Sequence, residues 1–156
     1  MSRVTWCAWW MVLLALGGGA LAEESTRGLV LPDEVVGGPA APELPAGARI
    51  AVLVGDPSVP GELYVFRAKL PDGYRVAPHT HPMDEHVTVI RGTMVLGFGE
   101  ERDEEEMREL PTGSYVTLPA AVPHYNRMRG ETILQFHGIG PYDIVYVNPE
   151  DDPSRQ

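Results

Sequence analysis

The segment GYRVAPHTHPMDEHVTVIRG, residues 73–92, brings three histidines and a glutamate together within eight positions. His79 and His81 are two residues apart, so both imidazoles leave the same face of an extended strand and can converge on one point. Glu85 shares their parity, whereas His86 has the opposite one. We therefore predict that His79, His81 and Glu85 point inward, and that His86 lies on the solvent side or supports the site without binding directly.

A fourth candidate, His124, ends a second segment, GSYVTLPAAVPH, residues 113–124. It must reach the other three from a different strand, after Pro119 and Pro123 have turned and stiffened the chain. Buried polar groups that lack partners cost roughly 1–3 kcal/mol each, and a cation removes this cost by accepting their lone pairs. Three imidazoles and a carboxylate also leave coordination positions open, which distinguishes a reactive metal site from a closed structural one.

Turn signals separate short runs of β-branched and aromatic residues from Arg49 onward. Pro-Asp-Gly at 71–73, Arg-Gly at 91–92 and Pro-Thr-Gly at 111–113 are typical points at which a chain reverses. The 17 glycines and 15 prolines also favour an all-β chain over a helical bundle. The runs that we predict as strands of a sandwich or barrel are 50–54, 63–70, 86–91, 93–98, 115–118, 132–137 and 143–147.

The two segments resemble the two sequence motifs of the cupin family. The first agrees in every spacing, from its leading glycine through the two histidines and Glu85 to its closing glycine. The second keeps the glycine, proline and histidine, but Ala121 stands where a glycine is usual, and Asn126 follows the histidine after two residues instead of four. The resemblance covers about residues 48–138.

This resemblance implies an all-β fold, the antiparallel double-stranded β-helix that is also called a jelly roll or cupin barrel. It also implies that His79, His81, Glu85 and His124 bind one divalent ion of iron, manganese, nickel, copper or zinc. The end of the chain, from residue 130 onward, resembles that of small exported cupins of unassigned activity. No substrate follows from this likeness.

The chain divides into four predicted parts. Residues 1–22 have the features of a signal peptide, with Arg3 before an uncharged apolar stretch and Ala-Leu-Ala as the cleavage site. A membrane anchor that is retained is the alternative. We therefore expect an exported protein, periplasmic or secreted, with no membrane attachment after cleavage. The other parts are an extended arm at 23–47, the barrel at 48–148 and a C-terminal tail at 149–156.

Composition restricts the partners of this chain. A formal net charge of -10 with a single lysine, Lys69, argues against nucleic acids and anionic membrane surfaces, since both attract basic patches. A small molecule is the partner we expect, and the arm is a candidate contact for a homodimer. Cys7, the only cysteine, lies in the leader, so a metal site of the exported chain must use histidines and carboxylates. The acidic stretch 100–106 is predicted as a solvated connection, with a calcium site as the alternative.

Two pairs of residues are candidates for lining a substrate cavity. Gln135 and His137 share one face of a late strand and their apolar neighbours share the other, so either pair can face inward. Tyr115 and Tyr125 flank the second segment and can orient a substrate through their hydroxyl groups, although aromatic packing is the commoner role.

The function that these features favour is a metal-dependent oxidoreductase of the dioxygenase type. Its substrate is expected to be a small oxygen-rich molecule that chelates the metal, with Glu85 as the ligand best placed to act also as a catalytic base. An isomerase or hydrolase that uses the metal as a Lewis acid fits the same residues. The non-catalytic alternatives are a metal-binding or ligand-binding module such as a sensor, and a storage or structural barrel.

Overall fold

The computed structural model describes residues 28–32, 35 and 37–156. The predicted signal peptide, residues 1–22, and the cysteine within it lie outside the described residues. Among the residues that are described, no helix has the length and the apolar character needed to cross a membrane.

The described part of the chain consists mainly of nine β-strands. The strands are β1 Gly38–Pro39, β2 Arg49–Val54, β3 Leu63–Leu70, β4 Arg75–Thr80, β5 Glu85–Phe98, β6 Arg108–Pro111, β7 Tyr115–Leu118, β8 His124–Ile139 and β9 Val145–Tyr146. Two short 3₁₀ helices, Pro149–Asp151 and Pro153–Arg155, follow in the predicted C-terminal tail.

The strands pair antiparallel and curl into a barrel, so the predicted all-β fold class is confirmed. The two longest strands, β5 and β8, pair with each other from Glu85 opposite Gly138 to Phe98 opposite His124. β8 also pairs with β3 and β4, and β5 also pairs with β6 and β7. These two strands therefore hold the halves of the curled sheet together, around a core of buried side chains such as Val87.

The turn predicted at 91–92 is a bend inside β5, so the two predicted strands 86–91 and 93–98 are one. Gly92 has a φ of +82°, and a Cβ atom there would lie 2.5 Å from the hydroxyl oxygen of Thr132. Both the left-handed backbone and this close approach exclude a side chain, which explains the glycine. The pairing register of β5 with β8 shifts at the same bend.

Three strands, β1, β4 and β6, have no counterpart among the predicted runs, and β1 is a two-residue strand within the predicted arm. β4 contains Pro78, and its pairing with β8 is irregular between Val76 and His79. A proline within a run argues against a strand, because it cannot donate a hydrogen bond to a neighbour. β6 is four residues long, too short for a period to be recognised in the sequence.

The acidic connection between β5 and β6 keeps its acids exposed, but Arg102 fastens it to the barrel. The Arg102 guanidinium donates hydrogen bonds to the backbone oxygens of Val76 and Asn126, both at 3.0 Å, and lies 5.1 Å from the centroid of the Tyr125 ring. The Tyr125 hydroxyl bonds in turn to the backbone of Asp103. Among the described residues, the acids of this connection do not gather into a metal-ligating group, so the calcium alternative finds no support.

The last residues of the predicted arm lie along the barrel. β1 pairs with β2, and the backbone oxygens of Glu43 and Pro45 accept hydrogen bonds from the hydroxyls of Tyr146 and Tyr74, at 2.7 and 2.8 Å. Leu44, between them, packs against the core and contributes to the wall of an inner cavity. This part of the arm therefore closes one side of the barrel.

Candidate metal centre

Three histidines meet inside the barrel. His79 lies at the end of β4, His81 directly follows that strand, and His124 begins β8, where it pairs with His79. All three are buried, and one ring nitrogen of each lies within 4.8 Å of those of the other two. Three buried histidines at this spacing can hold a metal ion.

Backbone carbonyl groups orient all three rings. A carbonyl oxygen only accepts, so an Nδ1 atom at hydrogen-bond distance from one carries the ring proton and donates it. The lone pair of each neutral ring is then on Nε2, the arrangement that orients histidines toward a metal. The Nδ1 to oxygen distances are 2.7 Å for His79 to Ala77, 2.6 Å for His81 to Asp143, and 3.0 Å for His124 to Val122.

Glu85 opens β5 and supplies the carboxylate beside these rings. Its side chain is 2% exposed, and its Oε2 atom lies 3.4 Å from the Nε2 atom of His81. Its other oxygen, Oε1, is buried and has no hydrogen-bond partner. Burial raises the pKa of the Glu85 carboxyl from 4.5 to about 8. Along β5, Glu85 and Val87 are buried and His86 between them is partly exposed, which agrees with the parity of the sequence.

The donors of this cluster suit a divalent ion. Burial lowers the pKa of all three histidines, to about 4 for His81, so their rings are neutral at neutral pH. The Oε1 atom of Glu85 and the Nε2 atom of His124 are buried acceptors without partners, and each such group costs free energy. Neutral imidazoles and a carboxylate are donors that divalent transition metals bind, and one ion would satisfy both orphaned atoms. The residues present therefore fit the metal that the resemblance implies.

A narrow inner cavity of about 40 Å³ borders the four residues. A cavity of this size holds a few water molecules or a small molecular fragment, since one water needs roughly 10–15 Å³. Its wall is mostly apolar, and it includes Phe66, Leu118, Met128 and Phe136.

Two wall residues of this cavity, Asn126 and Tyr142, were not among the predicted site residues. Asn126 is 8% exposed, and its Oδ1 atom is buried without a partner. It follows His124 by two residues on β8 and shares its inward face, and this parity is the signal that identifies it. Tyr142 stacks on the ring of His81, with 5.3 Å between the centroids, and lies in an irregular segment where no periodicity marks it.

The structure corrects the expectation that Gln135 and His137 line the substrate cavity. Leu134 and Phe136 line the inner cavity instead, so the two polar residues lie on the outer face of β8. There the side chain of Gln135 accepts a hydrogen bond of 3.0 Å from Arg67. Strand parity correctly groups Gln135 with His137 and Leu134 with Phe136. The packing of the barrel decides which of the two pairs faces inward.

Tyr115 and Tyr125 are corrected in the same way, since neither borders the inner cavity. Tyr115 is 55% exposed on the outer face of β7. Tyr125 is fully buried, but its ring lies beneath the guanidinium of Arg102, and a Cβ atom at position 97 would come within 2.3 Å of it. Aromatic packing, the commoner role, is therefore the role of Tyr125.

Ala121, which stands where the cupin motif usually has a glycine, adopts the backbone conformation that a glycine would have in this turn. Its φ is +59°, in the left-handed region that favours glycine. Its N–H donates a hydrogen bond of 2.9 Å to the backbone oxygen of His81. The departure from the family pattern therefore leaves the turn before His124 in place and fastened to the other histidine segment.

Replacing His81 by alanine is expected to lower the metal affinity of this centre by at least about tenfold, because it removes a ligand. His86→Ala is the matched control from the next β5 position after Glu85, and it should leave the affinity of the centre unchanged. Isothermal titration of the metal-free variants with Zn²⁺ measures both. Equal losses in the two variants would contradict the assignment of inward and outward histidines.

Comparisons with known proteins agree with this geometry. Residues 60–140 match the cupin domain family. No curated protein matches the sequence significantly. The chain is similar to the polyketide cyclase RemF from Streptomyces resistomycificus, at 16% identity over 81% of this chain and 89% of that one, with a TM-score of 0.65.

Two further solved structures show the same fold. One, from Methylibium petroleiphilum, is provisionally described as an acetylacetone dioxygenase and has 18% identity over 80% of this chain and 83% of that one, with a TM-score of 0.62. The other is KdgF from Halomonas sp., with 16% identity over 71% of this chain and 92% of that one and a TM-score of 0.53. At these identities the likeness concerns the fold alone.

Proposed function

Because this chain belongs to the cupin family, we propose that it is a metal-dependent oxidoreductase of the dioxygenase type, acting on a small oxygen-rich molecule. The observation that carries the proposal is the convergence of three Nε2 lone pairs with a buried carboxylate beside a cavity. His79, His81, Glu85 and His124 would hold one divalent ion. When bound, such an ion supplies Lewis acidity toward a chelating substrate and, if it is redox-active, electron transfer to dioxygen.

The cavity wall sets the character of the substrate. Its apolar side chains favour a compact carbon skeleton and exclude bulk water, and its volume favours molecules of a few carbon atoms over multi-ring compounds. Asn126 offers an unpaired amide oxygen on the same face of β8 as His124. A substrate hydroxyl or N–H group that reaches Asn126 would pair this buried acceptor and so orient the molecule.

Glu85 is the group of this chain best suited to move a proton. Burial raises the pKa of this carboxyl to about 8 in the metal-free protein, and a bound cation would favour the carboxylate, which is the form that accepts a proton. As a carboxylate it would accept, at the oxygen that does not hold the ion, the proton that an enolisable substrate loses. As an acid it would return that proton to the product.

The relatives favour a substrate of this kind. Acetylacetone, named for the Methylibium protein, is a 1,3-diketone that loses a proton readily and chelates through two oxygens.

RemF is a polyketide cyclase, which favours a second candidate function. In that case the ion acts as a Lewis acid in an isomerisation or cyclisation, and no oxygen is consumed.

Oxygen uptake by the purified protein separates these functions. The protein is prepared without chelators, its metal is identified, and acetylacetone, oxalate and an enediol are supplied, with a flavonol as the multi-ring compound that the cavity should exclude. Oxygen consumption with iron, manganese, copper or nickel bound supports the oxidoreductase, and product without oxygen consumption supports the Lewis-acid alternative. Bound zinc without turnover supports a binding module and contradicts the enzyme.

Asn126→Ala should raise KM for the active compound while the metal content stays the same.

We also propose export, on the pattern of residues 1–22. Amino-terminal sequencing of protein recovered from the periplasm or the medium should begin at Glu23, and an intact leader would contradict cleavage.

A further inference from the structure

A second pair of histidines lies on the outer face of the barrel. His86 on β5 and His137 on β8 are direct partners in the register of the two strands. Their rings are nearly parallel, with an interplanar angle of 17° and 4.9 Å between the centroids. Because Glu85 points to the interior and His86 to the opposite face, the sheet itself separates this pair from the inner cluster.

Hydrogen bonds hold the ring of His86 in place, through a hydroxyl group that can donate or accept where the inner histidines have a carbonyl group. Its Nδ1 atom lies 2.5 Å from the hydroxyl oxygen of Tyr115, and that oxygen lies 3.2 Å from the hydroxyl of Thr117. In one of the two directions that this row can take, His86 Nδ1–H donates to Tyr115 and Tyr115 donates to Thr117. The lone pair of His86 is then on Nε2, free to bind an ion.

The space in front of the pair is open and lies in a protein of negative charge. His86 and His137 line a surface cavity of about 500 Å³ together with Tyr115, Met83 and Asp84. The Asp84 carboxylate accepts a hydrogen bond of 2.8 Å from the N–H of Ala120, so it is held at this cavity. The net charge of -10 attracts cations to such a surface.

We propose that His86 and His137 form a second binding site, on the outside of the barrel, for a divalent transition-metal ion such as Zn²⁺. Two imidazole nitrogens are the protein ligands, and water completes the coordination. Zinc binds histidine nitrogens at about 2.0–2.1 Å, so the two donors must lie no more than about 4 Å apart. Because each lone pair lies in the plane of its ring and the two rings are nearly parallel, at least one side chain must rotate to bring both donors to one ion, and both rings border the open space in which it can do so. This site is independent of the proposed oxidoreductase activity.

Zinc stoichiometry tests the proposal. Equilibrium dialysis of the purified protein against Zn²⁺ should give two ions per chain, with the second bound more weakly because it has fewer protein ligands. His137→Ala and His86→Ala should each weaken the second ion by at least about tenfold and leave the first unchanged. Gln135→Ala, from the same face of the same strand as His137, is the matched control and should keep two ions. His81→Ala should weaken the first ion only, which separates a failure of this site from a failure of the inner one.

A measurement on the unmodified protein covers the case in which a variant does not fold. In nitrogen-15 spectra of the histidine rings, Zn²⁺ beyond the first equivalent should shift the Nε2 resonance of His86 together with a ring nitrogen of His137. One ion per chain at saturation that His86→Ala and His137→Ala both leave in place would overturn the proposal. So would a second ion that survives both histidine substitutions, or that leaves these two rings unshifted, since it would be held elsewhere.

Discussion

Replacing Glu85 by glutamine is expected to lower metal affinity by at least about a hundredfold, since the loss of even a supporting partner of a metal ligand costs about 10–100-fold.

The same substitution should stabilise the metal-free protein at pH 8. The pKa of this carboxyl rises from 4.5 to about 8 on folding, so its charge opposes folding above pH 4.5, and fully so above about pH 8. A pKa shift of this size corresponds to a free-energy cost of roughly 4–5 kcal/mol for burying the charged carboxylate. The uncharged amide of glutamine, buried in the same place, still costs roughly 1–3 kcal/mol.

Urea unfolding of the metal-free protein measures the second effect. The free energy of unfolding of Glu85→Gln should exceed that of the wild type by about 1–4 kcal/mol at pH 8, and the difference should shrink toward pH 5. Glu101→Gln, at an exposed position of the acidic connection, is the control and should change neither stability nor metal affinity. A Glu85→Gln protein that binds metal as tightly as the wild type would remove Glu85 from the ligand set.

Metal affinity is expected to rise steeply with pH between 5 and 8. The metal-free centre holds a proton on Glu85 below pH 8, and this proton must leave when the ion binds. One released proton raises the affinity about tenfold per pH unit, or about a thousandfold between pH 5 and pH 8. The lowered pKa values of the buried histidines mean that their protonation opposes binding chiefly at more acid pH, near 4 for His81.

Competition with a chelator of known proton affinity, at several pH values, gives this slope. It should be near one in the wild type between pH 5 and pH 8, and near zero in Glu85→Gln over the same range. A wild-type affinity that does not change with pH would show that the carboxyl is ionised before the metal arrives. It would thereby contradict a strongly raised pKa for Glu85.

The prediction of four metal ligands rests on simple rules, and the structure brings its three histidines together with Glu85 beside them. His79, His81 and Glu85 share a parity, and His124 ends a segment whose glycine and proline spacing is distinctive. The same parity rule identifies Asn126, once β8 is known to begin at His124 and to run without interruption. Long strands are hard to recognise when they bend, and the bend of β5 at residue 92 has the sequence of a turn.

Other features depended on contacts that no local pattern contains. Parity grouped Gln135 with His137, but the choice of inner face depends on how β8 packs between β3 and β5. Tyr142 reaches the ring of His81 from an irregular segment, so neither period nor motif predicts it. The wall position of Leu44 also depends on where the arm docks, which its Pro-rich sequence leaves undetermined.

The three carbonyl groups that accept the ring protons belong to stretches of chain far apart in the sequence, around Ala77, Val122 and Asp143. An ion held by the rings therefore restrains all three stretches at once, including the segment that contains Tyr142. A ring that turns away from the ion must give up its hydrogen bond to the carbonyl group, so loss of the metal and local opening of the backbone are coupled. Amide hydrogen exchange around residues 141–144 should accordingly slow when the centre is loaded, at a place no ligand of the ion occupies.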